Sequence, residues 1–104
     1  MEFKNMAVTC DSLEQVRENI DRLDRQIVGL IAERGAYVSQ AAGFKKDSDA
    51  VKAPLRVEQV ITKARALAEQ LGANPDVTES VYRAMIAAFI QQELAEHSAL
   101  QLAD

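Results

Sequence analysis

The chain has 104 residues and a formal net charge of −4, with one Cys, one His and no Trp. That length supports one domain with a thin core, and the acidic balance argues against a nucleic-acid or anionic-membrane binder. Cys10 and His97 are too few to build a zinc site or an internal disulfide, while 48% hydrophobic residues, only 5% aromatics and an Ala content of about one in six favour helices.

Residues 1–11 contain no apolar run long enough for a signal peptide and read as a flexible arm carrying a free Cys10 thiol. No later segment approaches the ~18 consecutive apolar residues of a membrane span, so a cytoplasmic protein is expected. Ser12-Leu13-Glu14-Gln15 is a capping box that opens the first helix. Leu13, Val16, Ile20, Leu23, Ile27 and Leu30 then follow at spacings of three and four, and Val38 and Ala41 continue the cadence beyond Arg34. No Pro intervenes before Pro54, which predicts one helix from Ser12 to about Lys45, roughly 50 Å long. A second helix is predicted from Pro54, with its stripe from Val57 to Leu71 and Gly72 as its stop. The third is predicted to begin near Asn74-Pro75-Asp76, with Asp76 and Glu79 at capping-box spacing. It should fray after His97, leaving 98–104 as a tail. The fold class is therefore all-α, three helices per chain with one very long N-terminal helix. The later helices are too short to cover the first along its whole length, so its apolar stripe calls for a partner chain, most simply a homodimer.

Charges interrupt these stripes. Arg34 falls where the cadence from Leu30 calls for an aliphatic residue, and Glu93 shares the face of Ile86, Phe89 and Ile90. On a continuous helix Lys45 would lie about 20° from the Arg34 face and roughly 16 Å further along. Two cations could converge there on one small anion. The structural alternatives are a buried ion pair between Arg34 and Glu93, an exposed Lys45 at a fraying helix end, and a solvated face for Arg17. His97 reads as a surface residue near a helix C-terminus, where a cation is favoured. The sequence offers no nucleophile–base pair, Gly-rich phosphate loop or metal cluster, which restricts the chemistry to binding anions and stabilising charge.

The run Val16-Arg17-Glu18-Asn19-Ile20-Asp21-Arg22-Leu23-Asp24 resembles the start of the all-helical AroQ-class chorismate mutases. So does Leu30-Ile31-Ala32-Glu33-Arg34, followed eleven residues later by Lys45. Gly43-Phe44-Lys45-Lys46 and Ala53-Pro54-Leu55-Arg56-Val57 are similar to the isochorismate pyruvate lyase branch of that fold. The resemblance spans residues 12–97 as a single chorismate mutase type II domain. It implies an intertwined homodimer with two active sites, a dianionic substrate, no cofactor and a place in aromatic amino acid biosynthesis. Arg34 and Lys45 would bind the substrate carboxylates and ether oxygen, Arg56 would join from the second helix, and Arg17 would come from the partner chain. Geometry supports the last point, because Arg17 would lie about 25 Å from Arg34 along one helix and be turned by about 100°.

The implied reaction is the [3,3] rearrangement of chorismate to prephenate, with Val38, Ile86 and Ile90 as apolar walls. Val57 follows Arg56 where the mutases commonly carry Glu, a feature shared with the lyase branch. Glu93 stands where many members have Gln, and could donate to the ether oxygen only when protonated. Isochorismate pyruvate lyase and a non-catalytic helical dimerisation module are the alternatives.

Overall fold

The computed structural model describes the backbone of residues 6–102 and the side chains of residues 6–99. Its helices are α1 (Leu13–Ala42), α2 (Ser48–Lys52), α3 (Pro54–Leu71) and α4 (Pro75–Leu102), with no strand among the described residues. The all-helical expectation and the three principal helices hold. Residues 1–5 of the expected arm and 103–104 of the expected tail lie outside the described residues.

Ser12 caps α1 as predicted, its Oγ accepting from the Gln15 N–H at 3.2 Å. The Gln15 side chain answers by accepting from the Asp11 N–H at 2.8 Å. The C-terminus of α1 differs from expectation. The N–H groups of Gly43, Phe44 and Lys45 bond to carbonyls three residues back, at 3.2, 3.0 and 3.3 Å. This tightening ends the helix at Ala42, with Gly43 as its cap, so Lys45 lies in a linker instead of on α1.

Asp47 then caps an unpredicted helix, α2, by accepting from the Ala50 N–H at 2.8 Å. Five residues are too few to show a periodicity, yet they carry Val51 into the core at 2% exposure. Ala53 closes α2 and opens α3 in the left-handed conformation, φ 37° and ψ 62°. Pro54 follows at the first helical position, where its missing N–H costs nothing. Gly72, at φ 80°, ends α3 as predicted.

The cap of α4 is Asn74, whose Oδ1 accepts from the Asp76 N–H at 2.9 Å. The Asp76 and Glu79 carboxylates turn instead to Arg65 on α3, at 3.0 and 2.8 Å. Arg83 extends this network, pairing with Glu79 at 2.7 Å and with both oxygens of Glu58 at 3.0 Å. These hydrogen bonds, that of Arg83 first in each case, hold the Glu58 and Glu79 carboxyls below the ordinary glutamate value. Beyond His97, α4 continues through Ser98, Ala99, Leu100 and Gln101 to Leu102, mostly good helix formers, instead of fraying.

α4 is the hub on which α1, α2 and α3 pack. The core comprises Ala42, Val51, Ile61, Ala64, Ala68 and Ile86, with Glu93 and His97 buried among them. Gly35 makes the α1–α4 approach possible, since a Cβ there would sit 2.9 Å from Cε1 of Phe89. The first two-thirds of α1 runs past this core. Val16, Ile20, Leu23, Ile27 and Leu30 along it are 39%, 49%, 43%, 51% and 64% exposed. The chain measures 59 × 25 × 22 Å with a radius of gyration of 17.1 Å, against about 13 Å for a compact domain of this length.

Candidate active site

A cavity of about 330 Å³ opens where the C-terminal end of α1, the linker, α2, the start of α3 and the middle of α4 meet. Its volume suits a small ligand. α1 contributes Arg34, Tyr37, Val38 and Ala41; the linker contributes Lys45; α2 and its cap contribute Val51, Lys52 and Ala53. α3 adds Arg56, Val57 and Val60, and α4 adds Ile86, Phe89, Ile90 and Glu93. Seven of the eight residues singled out in the sequence (Arg34, Lys45, Glu93, Arg56, Val38, Ile86 and Ile90) therefore line one space. Arg17, the eighth, is exposed near the opposite end of α1 and does not reach this cavity within its own chain.

Helical register explains why these side chains converge. On α1, Arg34, Val38 and Ala41 repeat at four and three residues, and on α4 Ile86, Phe89/Ile90 and Glu93 do the same. α2 brings Lys52 to one edge, and Ala53 orients the first turn of α3 so that Arg56 faces the same space.

Glu93 is the one carboxylate in the lining, its side chain only 4% exposed. The Lys45 ammonium donates to it at 2.5 Å, a close charge-assisted contact. This replaces the anticipated Arg34–Glu93 pair, and it shows that Lys45 is half-buried and engaged, not an exposed helix end. Arg34 instead sets its guanidinium over the Phe89 ring, 5.7 Å from the centroid, a cation–π placement. Among the described residues, no carboxylate lies within salt-bridge distance of Arg34, Lys52 or Arg56. Against a chain of net charge −4, the cavity thus carries three cations in excess of its one carboxylate, with apolar walls between them. Such a lining is complementary to a small anion with more than one negative group and places an ammonium at its wall. No group of three or more His, Cys, Asp or Glu among the described residues is placed to hold a metal.

The buried His97 is a second correction. It is 7% exposed, and its Nε2 lies 2.8 Å from the Lys45 carbonyl oxygen. A surface position follows from the sequence only if α4 frays, and α4 does not. Tyr37, Lys52 and Phe89 were also missed as site residues. An aromatic residue in an apolar stripe is indistinguishable from core, and Lys52 sits in a segment without periodicity. Tyr37, three residues beyond Arg34, carried the one usable signal.

Comparison with known proteins agrees with the geometry. Residues 16–94 match the family described as chorismate mutase type II. The chain is also 32% identical over 85 residues to the isochorismate pyruvate lyase of Pseudomonas aeruginosa, covering 82% of this chain and 84% of that protein.

Proposed function

The chain belongs to the chorismate mutase type II family, and from that premise we propose that it rearranges chorismate to prephenate in the cavity between α1, α3 and α4. The observation that carries this reading is the cluster of Arg34, Lys45, Lys52 and Arg56 around one small, apolar-walled cavity. Chorismate is a dianion. Fixing its two carboxylates with cations folds the enolpyruvyl side chain over the ring into a near-attack conformer. The ether C–O bond then breaks as a C–C bond forms, in one step with no proton transferred and no covalent intermediate. Negative charge develops on the ether oxygen, and Lys45 is the donor that stabilises it. Glu93 joins as a second donor only when it carries a proton; as a carboxylate it accepts from Lys45 and keeps that ammonium at the cavity until a ligand oxygen competes for it. Val38, Ile86 and Ile90 exclude water, which strengthens both effects.

The bare stripe of α1 supports a homodimer in which Arg17 of one copy completes the site of the other. A mixing experiment tests this. Arg17→Ala and Arg34→Ala homodimers should each be inactive. Random exchange between them should restore about a quarter of wild-type activity, since about half of the dimers are mixed and one of the two sites in each mixed dimer is intact. No recovery on mixing would place Arg17 outside the site.

The P. aeruginosa relative favours a second reading, isochorismate pyruvate lyase, which breaks the same ether bond and releases pyruvate and salicylate. Supplying each substrate separately decides between them: prephenate from chorismate supports the mutase, and salicylate fluorescence from isochorismate supports the lyase. Turnover of neither, with no thermal stabilisation by a bicyclic dianionic transition-state mimic, would leave a non-catalytic module.

A further inference from the structure

We propose that His97 is a positioning residue for Lys45, anchoring its backbone so that the ammonium can leave Glu93 for a ligand without the linker moving. This rests on the reading above that Lys45 serves the reacting ether. The geometry is specific. Glu93 and His97 are four residues apart on α4 and so lie one above the other on one face. Glu93 takes the side-chain end of Lys45 at 2.5 Å, and His97 Nε2 lies 2.8 Å from its carbonyl oxygen. A carbonyl can only accept, so Nε2 must carry the proton and donate it. Lys45 is thereby gripped at both ends by successive turns of a single helix.

The linker has little else to hold it. Its internal bonds are those of the tightened turn ending at the Lys45 N–H, and α2 begins only after Asp47. Phe44 and Lys46, the neighbours of Lys45, are exposed, whereas His97 is buried. The two contacts differ in what a ligand does to them. An ammonium that turns toward a substrate oxygen weakens its contact with Glu93, while the carbonyl bond to His97 involves no atom that the ligand needs. The lysine stem is long and freely rotatable, so a pre-placed Cα limits how far the ammonium must search.

The test compares His97→Phe, which keeps ring volume but removes the donor, with His97→Gln, whose amide N–H can replace Nε2–H. In His97→Phe, kcat should fall roughly 10- to 100-fold, the scale of a misplaced catalytic group, with KM changing less than threefold. Trypsin should cut after Lys45 and Lys46 at least ~5-fold faster relative to cleavage after Arg65 within α3, as local opening of the linker becomes easier. His97→Gln should return both readouts most of the way to wild type. Wild-type kcat and cleavage in His97→Phe would overturn the proposal. So would a uniform rise in cleavage at all three sites that Gln does not reverse, since that is loss of packing alone. If wild type turns over neither substrate, the functional reading fails by itself, and selective cleavage at Lys45 and Lys46 still decides whether the anchor exists.

Discussion

Gly35, Phe89 and Arg34 act together: the missing Cβ admits the aromatic ring, and the ring supports the guanidinium. Gly35→Ala gains about 1 kcal/mol of helix propensity but pushes Phe89 away, and overpacking costs typically 1–3 kcal/mol. We expect a net loss of stability and a KM increase of roughly tenfold as Arg34 loses its platform; Gly35→Ala/Phe89→Leu should relieve the crowding and recover stability, while the KM increase persists because the ring is gone. A Gly35→Ala protein with unchanged KM would remove Phe89 from the positioning of Arg34. Lys45 and Glu93 are coupled more tightly. Lys45→Met should reduce the rate at least ~100-fold and also cost stability, because a buried carboxylate loses its partner. Adding Glu93→Gln should recover the stability and not the rate, measured as a double-mutant cycle by denaturation and by turnover. Additive stability losses would show that the pair is not coupled. Arg34 and Glu93 were legible because a charge in an apolar stripe needs a reason, whereas Lys45 was reached by continuing α1 past its actual end at Ala42. Phe89 and His97 were not: an aromatic residue fits a core stripe by default, and the partner of His97 is a backbone carbonyl 52 residues away, which leaves no trace in side-chain pattern.

At the scale of elements, α3 and α4 are joined by packing and by an exposed ionic network. The Glu58 and Glu79 carboxyls lie below their ordinary value because Arg83 donates to each, with Arg65 assisting at Glu79. Their contribution to folding is complete above the unfolded glutamate value near ~4.3 and disappears as pH falls through the lowered folded values. The thermal midpoint should therefore drop between about pH 5 and pH 3 and drop less in Arg83→Gln, with high salt producing the same narrowing. Identical acid profiles for the two proteins would exclude the network as a source of acid sensitivity. Helices α1, α3 and α4 could be read from periodicity, Pro and Gly because each spans several turns. Helix α2 could not, and nor could the end of α1. Gly29 and Gly35 lower helix propensity without ending α1, so a third glycine at 43 carried no distinct stop signal, although it is the residue that caps the helix.

For the whole molecule, the governing fact is the length of α1 against the size of everything packed on it. Burying a Val, Leu or Ile side chain contributes ~1.5–3 kcal/mol, and the stripe from Val16 to Leu30 leaves five such residues partly exposed. Ile27→Glu puts a charge in the middle of that stripe, two helical turns before Arg34. If the proposed homodimer forms through this face, the variant should keep the helical content of the chain nearly unchanged, sediment as a monomer where the wild type is a dimer, and lose turnover. A dimeric Ile27→Glu protein would show that this face is not the one that pairs. The bare stripe of α1 was legible from arithmetic on helix length, and part of the positive cavity within an acidic chain was legible from Arg34 breaking that stripe. The site's floor was not, because it is assembled by a linker and a five-residue helix whose placement depends on α4.

Ala53 is the single residue between α2 and α3, held left-handed and followed at once by a proline. That conformation is uncommon for a non-glycine residue and lies outside the extended region that a following proline favours, so it is the helices on either side that hold it. One residue inserted here would shift Arg56 relative to Lys52 and disturb the cavity edge that the two share. Natural or engineered variation in chain length should therefore be rare at this joint, and the spacing from Lys52 to Arg56 is the ruler by which functional members of such a lineage can be told from those that only keep the fold.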